Sequence, residues 1–137
     1  MGTGSVLYAE DDEIDVVLMR RAWRRAGVNN PLHVVSDGQE AEAYLSGVGP
    51  YADRAVHPMP TLVLLDLKLP RVTGLELLEW IREEPTTRAL RVIILSSSHL
   101  ARDRERAQAL AANAYWIKPS DPRTLDEMVM SLKQLWL

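Results

Sequence analysis

The sequence predicts a doubly wound α/β domain of three layers, with helices on both faces of a five-stranded parallel sheet. Short apolar runs alternate along the chain with longer segments of helical periodicity. Two of the runs, Leu62–Leu65 and Val92–Leu95, lack any alternation with polar residues, which is typical of central parallel strands. The length of 137 residues suits a single domain that buries its own hydrophobic core.

Five apolar runs provide the predicted strands, and a helical segment follows each of them. The runs are Val6–Ala9, Leu32–Val35, Leu62–Leu65, Val92–Leu95 and Tyr115–Ile117. Repeated strand–helix units of this kind join parallel strands by right-handed crossovers.

The first and last helices are predicted from apolar residues at helical spacing. In the first helix the predicted inner face is Ile14, Val17, Leu18 and Ala22, and Gly27 ends the helix. In the last helix the predicted inner face is Leu125, Met128, Val129, Leu132 and Leu135.

Capping residues mark two of the helix starts. Thr73 and Glu76 have the spacing of a capping box. Asp121 precedes Pro122, which suits the first position of a helix. The segment 47–60 is rich in glycine and proline, and it predicts a long loop before the third strand.

The composition of the chain argues against several classes of protein. The chain has no cysteine, which excludes a disulfide framework and a thiolate zinc site. It has no apolar stretch of about 20 residues and no basic signal-peptide start, so we expect a cytoplasmic protein that does not contact the membrane. The net charge of −3 gives no general attraction to nucleic acid, and the arginines at positions 20–25 are interpreted as a solvated helix face.

Polar side chains that could form a site follow four of the predicted strands. They are Glu10, Asp11 and Asp12 after the first strand, Asp66 after the third, Ser96 after the fourth and Lys118 at the end of the fifth. Ligands of such sheets bind outside the carboxyl ends of the strands, so we expect these residues to form one site.

The residue types in this set indicate metal-assisted phosphoryl transfer. Crowded carboxylates repel one another unless a cation lies between them, and oxygen ligands without histidine or cysteine select Mg²⁺, for which Mn²⁺ can substitute. An aspartate can act as a nucleophile toward phosphorus, while the ion and a lysine neutralise the phosphoryl oxygens. The expected product is an aspartyl phosphate.

The same residues resemble the receiver domain of two-component response regulators, and the resemblance covers essentially the whole chain. It is carried by the segments 6–12, 64–70 with Gly74, 94–96 and 115–119, which read VLYAEDD, LLDLKLP, ILS and YWIKP. The resemblance implies the flavodoxin-like strand order 2-1-3-4-5. It also implies a single receiver domain over residues 1–137 with no output domain.

The resemblance implies a role for each acid of the site. Asp66 matches the phosphoacceptor, which takes a phosphoryl group from a histidine kinase. Asp11 matches the direct metal ligand, and Glu10 the second acid, which holds the metal mainly through water. Lys68 occupies the position whose backbone carbonyl completes the metal shell.

Further roles are implied at the fourth and fifth strands. Ser96 matches the hydroxyl that binds a phosphoryl oxygen, and Lys118 the lysine that binds another. Tyr115 matches the aromatic switch that turns inward when this hydroxyl moves toward the phosphoryl group. A cis peptide usually follows the lysine, here at Pro119.

The loop around residues 49–53 and the ending at 135–137 resemble stand-alone receivers that partner bacterial phytochrome kinases. Such receivers tend to self-associate through the fourth helix, fifth strand and fifth helix. Trp116 and Trp136 are candidate anchors of that face, or alternatively half-buried core residues.

Three other functions are weaker interpretations of the pattern. A phosphohydrolase of the haloacid-dehalogenase type needs a second acid two residues after the nucleophile, where this chain has Lys68. A nucleotide binder needs a phosphate loop after the first strand, where this chain has acids. A docking module that does not accept a phosphoryl group would not need the acids, the serine and the lysine at all of these strand ends.

Overall fold

The computed structural model describes residues 4–137, in which five strands alternate with five α-helices. All strands are parallel, in the order β2-β1-β3-β4-β5. The fold class and strand order predicted above are therefore confirmed. The strands are β1 (Val6–Ala9), β2 (Leu32–Val35), β3 (Leu62–Leu65), β4 (Arg91–Ser96) and β5 (Ala114–Ile117). The helices are α1 (Glu13–Arg25), α2 (Gly38–Ser46), α3 (Gly74–Glu83), α4 (Ala101–Ala109) and α5 (Pro122–Trp136).

The sheet separates two layers of apolar packing. On one face α2, α3 and α4 cover the sheet, and on the other face α1 and α5 cover it. The central strands β1 and β3 are buried at every residue, which explains their uninterrupted apolar sequences.

The inner face of α1 differs from the predicted one. Of the predicted residues, Ala22 is buried and Leu18 is half-buried, but Ile14 and Val17 are 71% and 56% exposed. Met19 and Trp23, which lie outside the predicted face, are buried. Two apolar stripes in this segment satisfy helical spacing, and the larger side chains of the second stripe fill the space between α1 and α5. Periodicity alone could not choose between them.

The end of α5 also differs from the prediction. Leu135 is 73% exposed, and the neighbouring Trp136 is half-buried against the core. The Arg91 guanidinium lies 5.5 Å from the Trp136 ring and donates a 2.8 Å hydrogen bond to its carbonyl. These contacts with β4 place the tryptophan, rather than the leucine, on the inner face.

The predicted caps are present. Thr73 and Glu76 form a reciprocal capping box at the start of α3. The Asp121 side chain accepts a hydrogen bond from the Thr124 amide, with Pro122 at the first position of α5. These caps fix the helix starts beside the carboxyl edge of the sheet.

The predicted loop between α2 and β3 is ordered by one arginine. The Arg54 guanidinium donates hydrogen bonds to the carbonyls of Tyr44 and Leu45, at 2.7 and 2.8 Å, and so satisfies the carboxyl end of α2. The loop also contains a 3₁₀ turn at Gly49–Tyr51, and the Tyr51 ring lies 5.0 Å from the Tyr44 ring.

An alanine after α4 has a backbone conformation that favours glycine. Ala111 has a φ of 63°, and its carbonyl accepts two hydrogen bonds from the Arg82 guanidinium, at 2.9 and 3.1 Å. These bonds hold the residue in the left-handed region, which costs a residue with a Cβ about 1–2 kcal/mol.

Ala111→Gly should therefore raise the free energy of unfolding by about 0.5–1 kcal/mol, since relief of the strain exceeds the entropy cost of glycine. Ala109→Gly is the matched control, because Ala109 is exposed in the last turn of α4. That change should lower stability by about 0.5–1 kcal/mol. Urea unfolding measures both, and a loss of stability in Ala111→Gly would contradict the assignment of strain.

Candidate functional site

The centre of the site is the junction between β1 and β3. Ala9 and Leu65 are paired residues of these adjacent parallel strands, so the residues that follow them, Glu10 and Asp66, emerge side by side. The Asp66 amide donates a 3.2 Å hydrogen bond to the Ala9 carbonyl, which extends the pairing by one residue. Strand register therefore brings two carboxylates together that are 56 positions apart.

Three acids form a cluster at this junction. One carboxylate oxygen from each of Glu10, Asp11 and Asp66 lies within 4.8 Å of the others. Glu10 and Asp66 are buried, and Asp11 is exposed at the opening of the cleft. Closely spaced carboxylates without histidine or cysteine fit a hard divalent cation such as Mg²⁺ or Mn²⁺.

Lys118 is the cation that balances these acids in the structure. Its Nζ lies 2.6 Å from Glu10 Oε1, 3.0 Å from Asp66 Oδ2 and 3.1 Å from Asp15 Oδ2. Burial opposes the charge of the ammonium, but its hydrogen bond with Glu10 and the nearby charge of Asp66 prevail and raise the pKa of Lys118. The lysine is therefore a permanent positive charge in the cleft.

Glu10 is the most buried of the acids, at 1% exposure. Burial raises the pKa of this carboxyl to about 7, with a further contribution from Asp66, while the hydrogen bond from Lys118 opposes the rise. The Tyr8 hydroxyl donates a 3.3 Å hydrogen bond to Glu10 Oε1, and the Asp12 amide donates one of 3.2 Å to Oε2. Both oxygens of Glu10 thus have fixed partners.

Lys68 lies at the same cleft as the acids. Its backbone amide donates a 3.3 Å hydrogen bond to Asp66 Oδ1, and its side chain is exposed. This bond orients the Asp66 carboxylate from the side opposite to the oxygen that contacts Lys118.

Ser96 and Tyr115 form hydrogen bonds with the same residue, Ser98. Ser96 is fully buried, and its Oγ accepts a 3.1 Å hydrogen bond from the Ser98 amide. The half-buried Tyr115 donates a 2.9 Å hydrogen bond from its hydroxyl to the Ser98 carbonyl. Ser97, not Ser96, lines the open cleft.

The peptide bond that the resemblance implies to be cis, before Pro119, is trans, as is every other peptide bond among residues 4–137. A trans bond is the more stable form for proline by about 0.5–1 kcal/mol when nothing else selects the isomer.

Sequence reasoning missed two residues of the site, Asp15 and Tyr8. Asp15 lies in the first turn of α1, where an acid is common without a site, so its contact with Lys118 had no sequence signal. In the sequence, Tyr8 is part of an apolar strand. Its hydroxyl is the sequence signal for a site, because a buried tyrosine needs a hydrogen-bond partner.

The family model for the response regulator receiver domain matches residues 6–130. The chain therefore belongs to the response regulator receiver family, whose members act in two-component signalling, and the predicted family is confirmed. Among residues 4–137, no helix has the length and apolarity needed to cross a membrane.

Three relatives match nearly the whole chain. Response regulator Rcp1 of Synechocystis is 31% identical over 132 residues, which are 96% of this chain and 88% of that protein, and it has been solved in a Mn²⁺-bound form. The response regulator RPA3017, from red light signalling of R. palustris, is 36% identical with a TM-score of 0.92. The phosphorylated cyanobacterial phytochrome response regulator RcpA is 32% identical with a TM-score of 0.91. In both solved structures the match covers 98% of this chain and 94% of the other.

The contacts of Lys118 predict how the cleft binds a divalent cation. Lys118→Ala removes a positive charge from two acids of the cluster, so Mg²⁺ should bind more tightly, by about fivefold for a gain of roughly 1 kcal/mol. Asp11→Ala removes an acid of the cluster and should weaken binding by about tenfold. Isothermal titration calorimetry measures both, and weaker binding by Lys118→Ala would contradict the competition between lysine and metal.

Proposed function

We propose that this receiver takes a phosphoryl group from the phosphohistidine of a histidine kinase onto Asp66. The observation that carries the proposal is the position of Asp66, which is buried between the other acids of the cluster and Lys118. A carboxylate that is buried, oriented by a backbone amide and paired with a fixed ammonium is prepared to receive an anionic group.

In the proposed reaction, an Asp66 carboxylate oxygen forms a bond to phosphorus while the bond from phosphorus to the imidazole nitrogen breaks. The histidine leaves with the electron pair of that bond and takes up a proton. Lys118 would neutralise one phosphoryl oxygen, because its ammonium already contacts Asp66. The same residues would assist the later hydrolysis of the aspartyl phosphate by water.

We propose that Mg²⁺, or Mn²⁺ in its place, is held by Glu10, Asp11, Asp66 and the backbone carbonyl of Lys68. The clustered carboxylate oxygens support this assignment. When bound, the ion would supply positive charge for the phosphoryl oxygens that Lys118 does not reach.

The proposed response to phosphorylation runs through Ser96 and Tyr115. Movement of the Ser96 hydroxyl toward a phosphoryl oxygen would break its hydrogen bond with the Ser98 N–H. The carbonyl of the same Ser98 accepts the hydrogen bond of the Tyr115 hydroxyl. The loop between β4 and α4 would then rearrange together with the tyrosine, which is a shift between two arrangements of one element.

We propose a phytochrome histidine kinase as the partner, with a cytoplasmic location. The likeness to response regulators of phytochrome and red light signalling supports this partner. The comparison covers the whole receiver and not only its site residues.

Asp66→Asn tests the acceptor. Incubation of wild type with acetyl phosphate and Mg²⁺ should add one phosphoryl mass, and the variant should gain none, because an amide is a far poorer nucleophile. Intact mass spectrometry measures the product, and Asp53→Asn, in the exposed loop before β3, should be labelled like wild type. Stable labelling of Asp66→Asn would show that the acceptor is another residue.

We also propose that two copies associate through α4, β5 and α5. In support, β5 is an edge strand, so its outer side has no partner strand in the described chain. The predicted anchors Trp116 and Trp136 are both half-buried against the core. Leu135, which precedes Trp136, is the most exposed large apolar residue of α5. Lys133 contacts the end of α1, and Leu135 lies about 200° around the helix from it.

Leu135→Lys should weaken this association by about tenfold, because it places a charge in an apolar contact. Ile14→Lys is the control, since Ile14 is equally exposed but lies on α1. Sedimentation velocity, with and without the phosphoryl mimic beryllofluoride, measures the dimer fraction. Equal behaviour of the two variants would contradict the proposed face.

A further inference from the structure

Lys118 has three carboxylate partners, and one of them lies outside the acid cluster. The ammonium contacts Glu10, Asp66 and Asp15, at 2.6, 3.0 and 3.1 Å. Because an ammonium has three N–H donors, these three contacts can use its whole hydrogen-bonding capacity.

Two of the three partners are shared with the proposed cation. Glu10 and Asp66 belong to the cluster whose oxygens could hold a metal ion, whereas Asp15 does not. A divalent cation in the cluster and the Lys118 ammonium repel each other and compete for the same two carboxylates. Among the three contacts of Lys118, the one with Asp15 is free of this competition.

The position of Asp15 suits a carboxylate that holds the Lys118 ammonium. It lies in the first turn of α1, and its backbone amide donates a 3.3 Å hydrogen bond to the side chain of Asp12, the capping residue. The positive end of the helix dipole stabilises the charge of an acid at this position. The Asp15 side chain is 35% exposed, compared with 1% for Glu10, so the contact lies at the rim of the cleft.

We propose that Asp15 is a positioning residue that retains the Lys118 ammonium at the rim of the cleft when a divalent cation occupies the acid cluster. Held there, the lysine remains beside Asp66 and available to a phosphoryl oxygen. Without Asp15 the ammonium has only Glu10 and Asp66 as partners, and it opposes the cation more strongly. This inference rests on the proposed function and adds a fourth carboxylate to it.

A double-mutant cycle on Mg²⁺ affinity tests the inference, with Asp15→Asn made both in wild type and in Lys118→Ala. In wild type the dissociation constant should rise about five- to tenfold, because the lysine then binds only the acids of the cluster. In the Lys118→Ala background the same change should raise it less than about twofold, because no lysine remains to compete. Isothermal titration calorimetry supplies all four affinities.

Two further variants separate position from charge. Glu13→Gln removes one negative charge from the same helix turn, at an exposed residue that forms no ion pair within residues 4–137, and should change the affinity less than about twofold. Asp15→Glu restores a carboxylate and should recover most of the affinity. At saturating Mg²⁺, the initial rate of labelling by acetyl phosphate should fall several-fold in Asp15→Asn and recover in Asp15→Glu.

The outcomes distinguish this inference from the proposed function. An equal loss of affinity in both backgrounds, or in Glu13→Gln, would overturn the role of Asp15, while labelling of wild type would leave the function of Asp66 intact. Failure of wild type to be labelled while the cycle shows the expected coupling would overturn the proposed reaction and leave Asp15 as the anchor of Lys118. Absence of Mg²⁺ binding by wild type would overturn both.

Discussion

The contact of the half-buried Lys118 ammonium with three carboxylates is the interaction on which the rest of the site depends. The carboxyl edge of the sheet gathers acids from β1, β3 and α1 within a few ångströms, and two of them are almost fully removed from water. Carboxylates in such surroundings repel one another and favour protonation, as the raised pKa of Glu10 indicates. One cation that contacts three of them at once offsets this repulsion, and a metal ion bound to the acids would share that role.

The parallel sheet imposes this crowding. Adjacent strands in register end together, so the residues after paired positions emerge at one edge. In α/β sheets of this order the helices diverge at the switch between strand neighbours and leave a cleft there. Here α1 lies on one face and α3 on the other, which leaves the ends of β1 and β3 open between them. Strand pairing by the backbone therefore brings acids from distant parts of the sequence together, whatever contacts their side chains form.

This geometry explains what could be predicted from the sequence. The strands were evident because their apolar runs are short and alternate with segments of helical periodicity, and the strand-end residues Glu10, Asp66 and Lys118 follow from the strands. Rotation of a helix about its axis is less constrained by sequence: α1 has two apolar stripes, and only packing against α5 selects Met19 and Trp23 over Ile14 and Val17. The contact of Asp15 with Lys118 was missed for the same reason, because it depends on the rotation of α1.

Of the five α-helices, α4 has the fewest buried residues, and it lies where a change at the site would have to be transmitted. α4 fully buries only Ala107, and no side chain caps its first turn. Ser98, three residues before the start of this helix, joins the Ser96 hydroxyl to the Tyr115 hydroxyl through its own backbone amide and carbonyl. An element with few buried contacts opens at low free-energy cost, so loss of one of these hydrogen bonds can shift the loop without disturbing the sheet. The strongly packed strands hold the acids in place, and the loosely packed α4 leaves the adjacent surface free to respond to them.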